Sequence, residues 1–237
     1  MEKERLDKLI SNITGISRSE IKKLSKKGLI SLNGNTVSDC AVKIDAETDT
    51  VCVNNEKIEL KKYVYIMLNK PKGVISASEG GDAVTVVDIL PNELRRNGLF
   101  PAGRLDKDTT GFVLITNDGD FAHRILSPKN HVEKTYTATL DKPISDSSAD
   151  ELRNGITLKD GTVFKPAVIE PFPCNPLKVK VIICEGKYHQ IKRMFKAVGC
   201  EVLELERIKI GGLLLDKSLA LGEARYITDG EIKQIVG

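Results

Sequence analysis

The residues best suited to chemistry fall in two stretches, FPAGRLDKDTTGFVLITNDGDFAHRILSPKNHVEKTYTATL (100–140) and EGKYHQIKRMFKAVG (185–199). In the first, Asp106 stands in a Gly-rich loop two residues after Arg104, and Tyr136 opens a strand at Lys134-Thr135-Tyr136. In the second, Lys192 and Arg193 lie on a helix whose apolar stripe is Ile191, Met194, Phe195 and Val198. A carboxylate is a weak base but a competent nucleophile or ion-pair partner. Taken singly, each residue has a plainer reading. An Asp in such a loop is usually a turn or cap residue, a Tyr at a strand start is usually core, and a Lys on a helix's polar side is usually solvated.

The elements that position these residues follow from pattern. Phe112–Ile115 is a short apolar strand, Asn117–Asp120 reads as a turn, and a second strand begins at Lys134. Lys178–Cys184 reads as a buried strand that Gly186 turns into the 188–199 helix, closed by Gly199 at C′. Earlier, Tyr63–Leu68 is a strand, and Asn69-Lys70-Pro71-Lys72-Gly73 is a turn leading to a second strand through Ser76. Thr85–Leu90 could form a short helix before Pro91. A helix spans about Ser147–Arg153, ended by Asn154-Gly155. Glu201–Ile208 is a strand, and 231–235 reads as a final helical turn. Strands dominate and connections are short, which predicts an α+β domain on a mixed, largely antiparallel sheet over residues 61–237. No Gly-x-Gly-x-x-Gly or Walker A pattern occurs.

Residues 1–60 read as a separate small α/β module, with Lys61-Lys62 as the linker. Leu6, Leu9, Ile10 and Ile13 recur at helical spacing. Ser17 and Glu20 form a capping box with Ile16 and Ile21 as its staple, and Gly28 ends that second helix. From Arg18 to Lys27 there are five basic residues against one acid, a net charge of +4. Arg18, Lys22 and Lys26 share a face, with Lys23 and Lys27 beside it. Asn33-Gly34 between two alternating runs is a hairpin signal.

The chain has 237 residues, 41% of them apolar, enough for a sizeable core; with 5% aromatics and no Trp that core should be aliphatic. Net charge is +3. Five Cys (40, 52, 174, 184, 200) form no C-x-x-C pair, and the first residues are charged rather than an apolar leader, so a reduced, cytoplasmic protein is expected. No run approaches a membrane span. The three His and the Cys lack metal-ligand spacing, so no metal is expected.

Asn69-Lys70-Pro71-Lys72-Gly73, GRLDKDTTG, EKTY and EGKYHQIKRMFKAVG together resemble the pseudouridine synthases. Within these, the match is to the RsuA-like branch that modifies small-subunit (16S) ribosomal RNA, over nearly the whole length from Tyr63 to Ile232. The first fifty residues resemble a small RNA-binding module named after a ribosomal small-subunit protein, in which the basic second helix and adjoining hairpin face RNA. The resemblance implies that a uridine is flipped out of RNA, its N-glycosidic bond broken, the uracil rotated and a C–C bond formed, without cofactor. It implies that Asp106 is the essential carboxylate, attacking C1′ of the ribose or abstracting the C2′ proton to give a glycal. Tyr136 would stack on the flipped base and is a candidate for proton transfer. Lys192, or its neighbour Arg193 if the register shifts by one, would pair with Asp106 and fix its rotamer. Arg104 would help hold the target nucleotide or fill the space it leaves, since extrusion costs a few kcal/mol. RNA contacts are expected at Arg18, Lys22, Lys23, Lys26, Lys27, Lys70, Lys72 and Arg193. The implied partner is small-subunit ribosomal RNA, naked or in a partly assembled ribonucleoprotein, with the chain a monomer. His189 is expected to cap or orient the helix that presents Lys192.

Three other readings stand beside this one. A sister branch would act on large-subunit RNA. A non-catalytic assembly protein would use the same module and fold. A retaining glycosidase-like hydrolase would need a second carboxylate about 5 Å from Asp106, for which Asp108 and Glu185 are the candidates.

Overall fold

The computed structural model describes residues 3–46, 48–58, 60–127 and 129–236. The chain divides into two compact units, Met1–Val64 with Asn92–Leu99, and Tyr65–Pro91 with Phe100–Gly237.

In the smaller unit, β1 (Glu4–Arg5) leads into α1 (Leu6–Thr14) and α2 (Arg18–Lys26). These are followed by β2 (Ile30–Leu32), β3 (Asn35–Thr36), β4 (Lys43–Ile44), β5 (Val51–Val53) and β6 (Glu56–Ile58). β1 pairs β4, and the other four strands form an antiparallel sheet in the order β3-β2-β5-β6. Leu6, Leu9, Ile10, Ile21, Ile30 and Val51 fill the core beneath it. Ser17 caps α2 by accepting the Glu20 amide. At the other end Gly28 takes φ +75°, and the amides of Gly28 and Leu29 donate to the carbonyls of Ser25 and Leu24, a Schellman closure. Asn33 (φ 51°) and Gly34 (φ 83°) supply the two positive dihedrals of a type I′ turn. Asp7, fully buried, is held by Arg5 at 2.9 Å and Arg18 at 2.8 Å. The segment Asn92–Leu99, which the sequence leaves inside the larger domain, belongs to this unit; Asn97 donates to the carbonyls of Asn12 and Ser11.

The larger unit begins with β7 (Tyr65–Lys70), β8 (Phe100–Pro101) and β9 (Thr110–Thr116). Then come α3 (Gly119–Leu126), β10 (Lys134–Leu140), α4 (Asp146–Asn154), β11 (Ile156–Thr157) and β12 (Val163–Phe164). β13 (Val168–Phe172), β14 (Asn175–Ile183), α5 (Gln190–Ala197), β15 (Val202–Ile210), β16 (Leu213–Leu214), β17 (Ala224–Tyr226) and α6 (Asp229–Val236) complete it. The main sheet runs β13-β14-β10-β15-β9-β7-β17, with β16 on β15 and β8 on β9. Every pairing is antiparallel except β15 with β9. This is an α+β architecture on a mixed, largely antiparallel sheet. The one parallel contact needs a glycine: a Cβ on Gly111 would lie 2.3 Å from the Arg207 carbonyl oxygen, and Gly111 sits at φ +97°. Met67, Phe112, Leu114, Phe121 and Ile125 form the core on one side of the sheet.

Three expectations change. Asn117–Asp120 is a helix start rather than a free turn: Asp118 caps α3 by accepting the Phe121 amide and also takes the Tyr65 hydroxyl at 2.6 Å. The same short acidic side chain serves turns and N-caps, so the two look alike in sequence. Thr85–Leu90 forms turns rather than a helix, because Asp88 accepts the Thr85 amide while the Thr85 hydroxyl accepts those of Val87 and Asp88. The strand expected after Gly73 shrinks to a single bridge, Ile75 with Thr85.

Candidate active site

Asp106 is presented by the loop between β8 and β9, which four residues secure. The Ser76 hydroxyl donates to the Leu105 carbonyl and accepts the Leu105 amide, both at 3.0 Å. The Gly73 amide binds the Lys107 carbonyl, and the Thr109 amide closes back on the Asp106 carbonyl. Lys70, fully buried at the end of β7, donates to the carbonyls of Pro71, Lys107 and Thr109. Burial lowers its ammonium to about 8, against the pull of Asp108 and Asp106. Lys70 was expected to touch RNA. A fully buried ammonium presents nothing to a phosphate, so its place is beneath the loop as a brace.

α5 supplies the second wall. Ile191, Met194 and Phe195 anchor it, and Gly199 (φ 79°) closes it with the same Schellman bonds as α2, from Gly199 and Cys200 to Lys196 and Phe195. Its polar side then carries Lys192 to the loop, where Nζ lies 3.4 Å from Asp106 Oδ2 and 2.5 Å from Asp108 Oδ1. The hydrogen bond from Lys192 holds the Asp108 carboxyl below the ordinary range. Arg193 turns the other way, to Asp160 at 2.5 Å and the Thr162 hydroxyl at 3.1 Å, over the Phe164 ring. The register ambiguity is thereby resolved: Lys192 meets Asp106 and Arg193 braces a neighbouring hairpin.

His189 differs from its expected role. It occupies the N-cap position of α5 at φ 48° and makes no side-chain cap bond. Its imidazole instead places Nε2 3.4 Å from Asp106 Oδ1, so the carboxylate lies between an imidazole and an ammonium. Gln190 holds the approach to the helix, donating to Glu185 and accepting the Lys187 amide.

Tyr136 lies on β10, between Val181 of β14 and Arg207 of β15, next to a bulge in the β10–β15 register. It is nearly buried, its ring lies 6.0 Å from the Arg207 guanidinium carbon, and its hydroxyl has no hydrogen-bond partner among the described residues. Asp106, Tyr136, Lys192 and Arg104 line one pocket, together with Thr109, His189 and Leu205. Arg104 is exposed and, among the described residues, unpaired. The Thr109 hydroxyl and one Arg207 nitrogen are buried without partners among the described residues. Nothing local in the sequence marks Ser76, Thr109 or Arg207; they reach the site from separate elements.

The other residues expected at RNA divide. Lys72 is exposed, 3.5 Å from Glu204. Lys22, Lys23, Lys26 and Lys27 are exposed on α2, whereas Arg18 is bound to Asp7. The carboxylates that a glycosidase would need as its acid are engaged elsewhere. Asp108 is ion-paired, and Glu185 is buried against the Lys165 amide and Gln190.

The site thus centres on one carboxylate between an imidazole and an ammonium, on a pocket that the Tyr136 ring helps to line. The RNA pseudouridylate synthase family model matches residues 64–197, and the chain belongs to that family. Over 230 residues it is 44% identical to an uncharacterized RNA pseudouridine synthase, YtzG, of Bacillus subtilis, covering 96% of each. It is 41% identical over 233 residues to the ribosomal small subunit pseudouridine synthase A of Escherichia coli K12, covering 98% of this chain and all of that one. A crystal structure of a pseudouridylate synthase superposes with a TM-score of 0.69 at 40% identity, covering 98% and 99% of the two chains. The protein is an RNA pseudouridine synthase.

Proposed function

We propose that the chain isomerises one uridine of small-subunit (16S) ribosomal RNA to pseudouridine, with Asp106 as the reacting carboxylate. The observation that carries this reading is the placement of Asp106 between Lys192 and His189 on the pocket that Tyr136 walls. Near-full-length similarity to a ribosomal small subunit synthase supports the choice of RNA.

In this account the target uridine leaves its stack and its uracil lies on Tyr136. Asp106 then attacks C1′, or takes the C2′ proton to form a glycal; either way the C1′–N1 bond breaks and uracil leaves with its electrons. The ring turns and C5 bonds to C1′, displacing the Asp106 carboxylate from its ester or, from the glycal, with C2′ taking its proton back from Asp106; the C5 proton is lost while N1 gains one, so the product is an isomer. The Tyr136 hydroxyl relays that proton. Lys192 balances charge at Asp106 as it passes between carboxylate and ester or acid, and Arg104 helps hold the target nucleotide.

Residues 1–60, with Asn92–Leu99 in the same unit, act as the RNA-binding module, and the rest of 61–237 as the catalytic domain. Lys22, Lys23, Lys26 and Lys27 supply phosphate contacts, with Lys72 on the larger domain. The chain works as a cytoplasmic monomer on naked or partly assembled small-subunit RNA.

Carbodiimide mapping of full-length small-subunit and large-subunit RNA, free and partly assembled, tests this reading. A single new stop in small-subunit RNA supports it. Modification of large-subunit RNA alone would move the chain to a sister branch, and modification of neither would leave a binding protein.

A further inference from the structure

The pocket around Asp106 is small, about 60 Å³, so a nucleotide's neighbours must lie outside it. Beside it runs an open groove of about 310 Å³ that shares Arg104, Asp106 and His189 with the pocket and adds Ser76, Lys107 and Tyr188. Tyr188 is the most exposed large apolar side chain described, at 70%. It is nonetheless ordered by stacking on His189, with ring centroids 3.8 Å apart and planes 17° from parallel. His189 is itself held at a positive φ, a conformation L residues seldom adopt, with its far edge on Asp106. The result is a two-ring stack that starts at the reacting carboxylate and ends in an open aromatic face. Arg104 and Lys107, exposed on the loop that forms the groove's other wall, have no side-chain partners among the described residues.

We propose that Tyr188 and His189 form a stacking platform for the base of a nucleotide next to the extruded uridine, with Arg104 and Lys107 meeting the intervening phosphates. The proposal rests on the reading that this pocket takes a uridine from RNA, and adds a second binding position. An aromatic face takes any base and is most useful for single-stranded or unstacked RNA. Because the platform is tied to Asp106 through His189, a base stacked there sets the register of its neighbour over the carboxylate. No sequence code is implied, since stacking does not read base edges.

The probe is a short oligouridylate carrying one central 2-aminopurine, whose fluorescence falls when the base stacks. Wild type, Tyr188→Ala and Tyr188→Phe are each titrated to saturation; Tyr188 is exposed, so all three fold. The expected result is strong quenching by wild type and Tyr188→Phe and its loss in Tyr188→Ala, with affinity weakened about tenfold. Equal quenching by Tyr188→Ala would overturn the platform, as would loss in Tyr188→Phe, which would assign the effect to the hydroxyl. Failure of wild type to bind the probe would also overturn it. Turnover of ribosomal RNA by the same wild-type preparation reports separately on the proposed reaction, so the two readings fail independently.

Discussion

Lys192 Nζ stands 3.4 Å from Asp106 Oδ2, a near miss, because Asp108 draws the same ammonium to 2.5 Å. One cation is thus shared by two carboxylates, only one of which borders the pocket around Tyr136. Lys192→Met should lower kcat by about 10²-fold, the scale of losing one preorganised charge at a reacting centre. Arg193→Met should leave kcat within a few-fold and reduce stability by about 1 kcal/mol, since its pair with Asp160 is partly exposed. Single-turnover kinetics on both variants check the assignment; the opposite pattern would put Arg193 at the carboxylate.

Lys70→Met should unbrace the Asp106 loop, leaving three carbonyls without their donor and lowering both stability, by about 3 kcal/mol, and kcat. The pH dependence has a definite sign. The folded value, about 8, lies below the 10.5 of the free side chain, so the unfolded chain holds more protons between these pH values and stability rises with pH there. Lys134, also buried and lowered to about 8, adds the same slope. Denaturant midpoints from pH 8 to 10.5 should climb for wild type and climb about half as much for Lys70→Met.

Asp7 gives a slope of the same sign at the acid end, there because the native state favours its charged form. Arg5, and with it Arg18, holds its carboxyl well below the free value of 3.8. The stability it contributes is present above about pH 4 and is lost as the solution becomes more acid. Asp7→Asn should destabilise the smaller unit by about 3 kcal/mol, the low end for a broken buried pair because both arginines are half exposed. It should also flatten that unit's acid unfolding, read by hydrogen exchange at Leu9 and Ile10.

How much of this was legible in sequence depended on whether the cause was local. α2 could be read from its capping box and closing glycine and α5 from an apolar stripe and closing glycine, and both close as expected. Asp106, Tyr136, Lys192 and Arg104 were found through ordered motifs, and they line one pocket. α3 was missed because Asp118-Gly119-Asp120 carries the chemistry of a turn and a cap alike. Lys70 was misread because a lysine's default place is the surface, and only the fold shows three carbonyls converging on it. The His189–Asp106 contact and the two hydrogen bonds between Ser76 and Leu105 span some thirty to eighty positions, and no periodicity reports them.

On the smaller unit, Lys22 and Lys26 project from α2 and, among the described residues, lack the carboxylate partner that Arg18 has. Lys22→Ala with Lys26→Ala should weaken RNA binding and reduce the slope of log K against log salt by roughly 1.5. Asp106 chemistry on saturating RNA should persist. An unchanged slope would remove this helix from the RNA contact surface.

The central claim is that Asp106 performs the isomerisation. It is tested most directly by nucleotide-resolution pseudouridine mapping of small-subunit RNA treated with wild type or with Asp106→Asn, which keeps the side chain's shape. The account predicts one new stop with wild type and none with Asp106→Asn, while the variant still binds the RNA. The same stop at comparable yield from Asp106→Asn would contradict it.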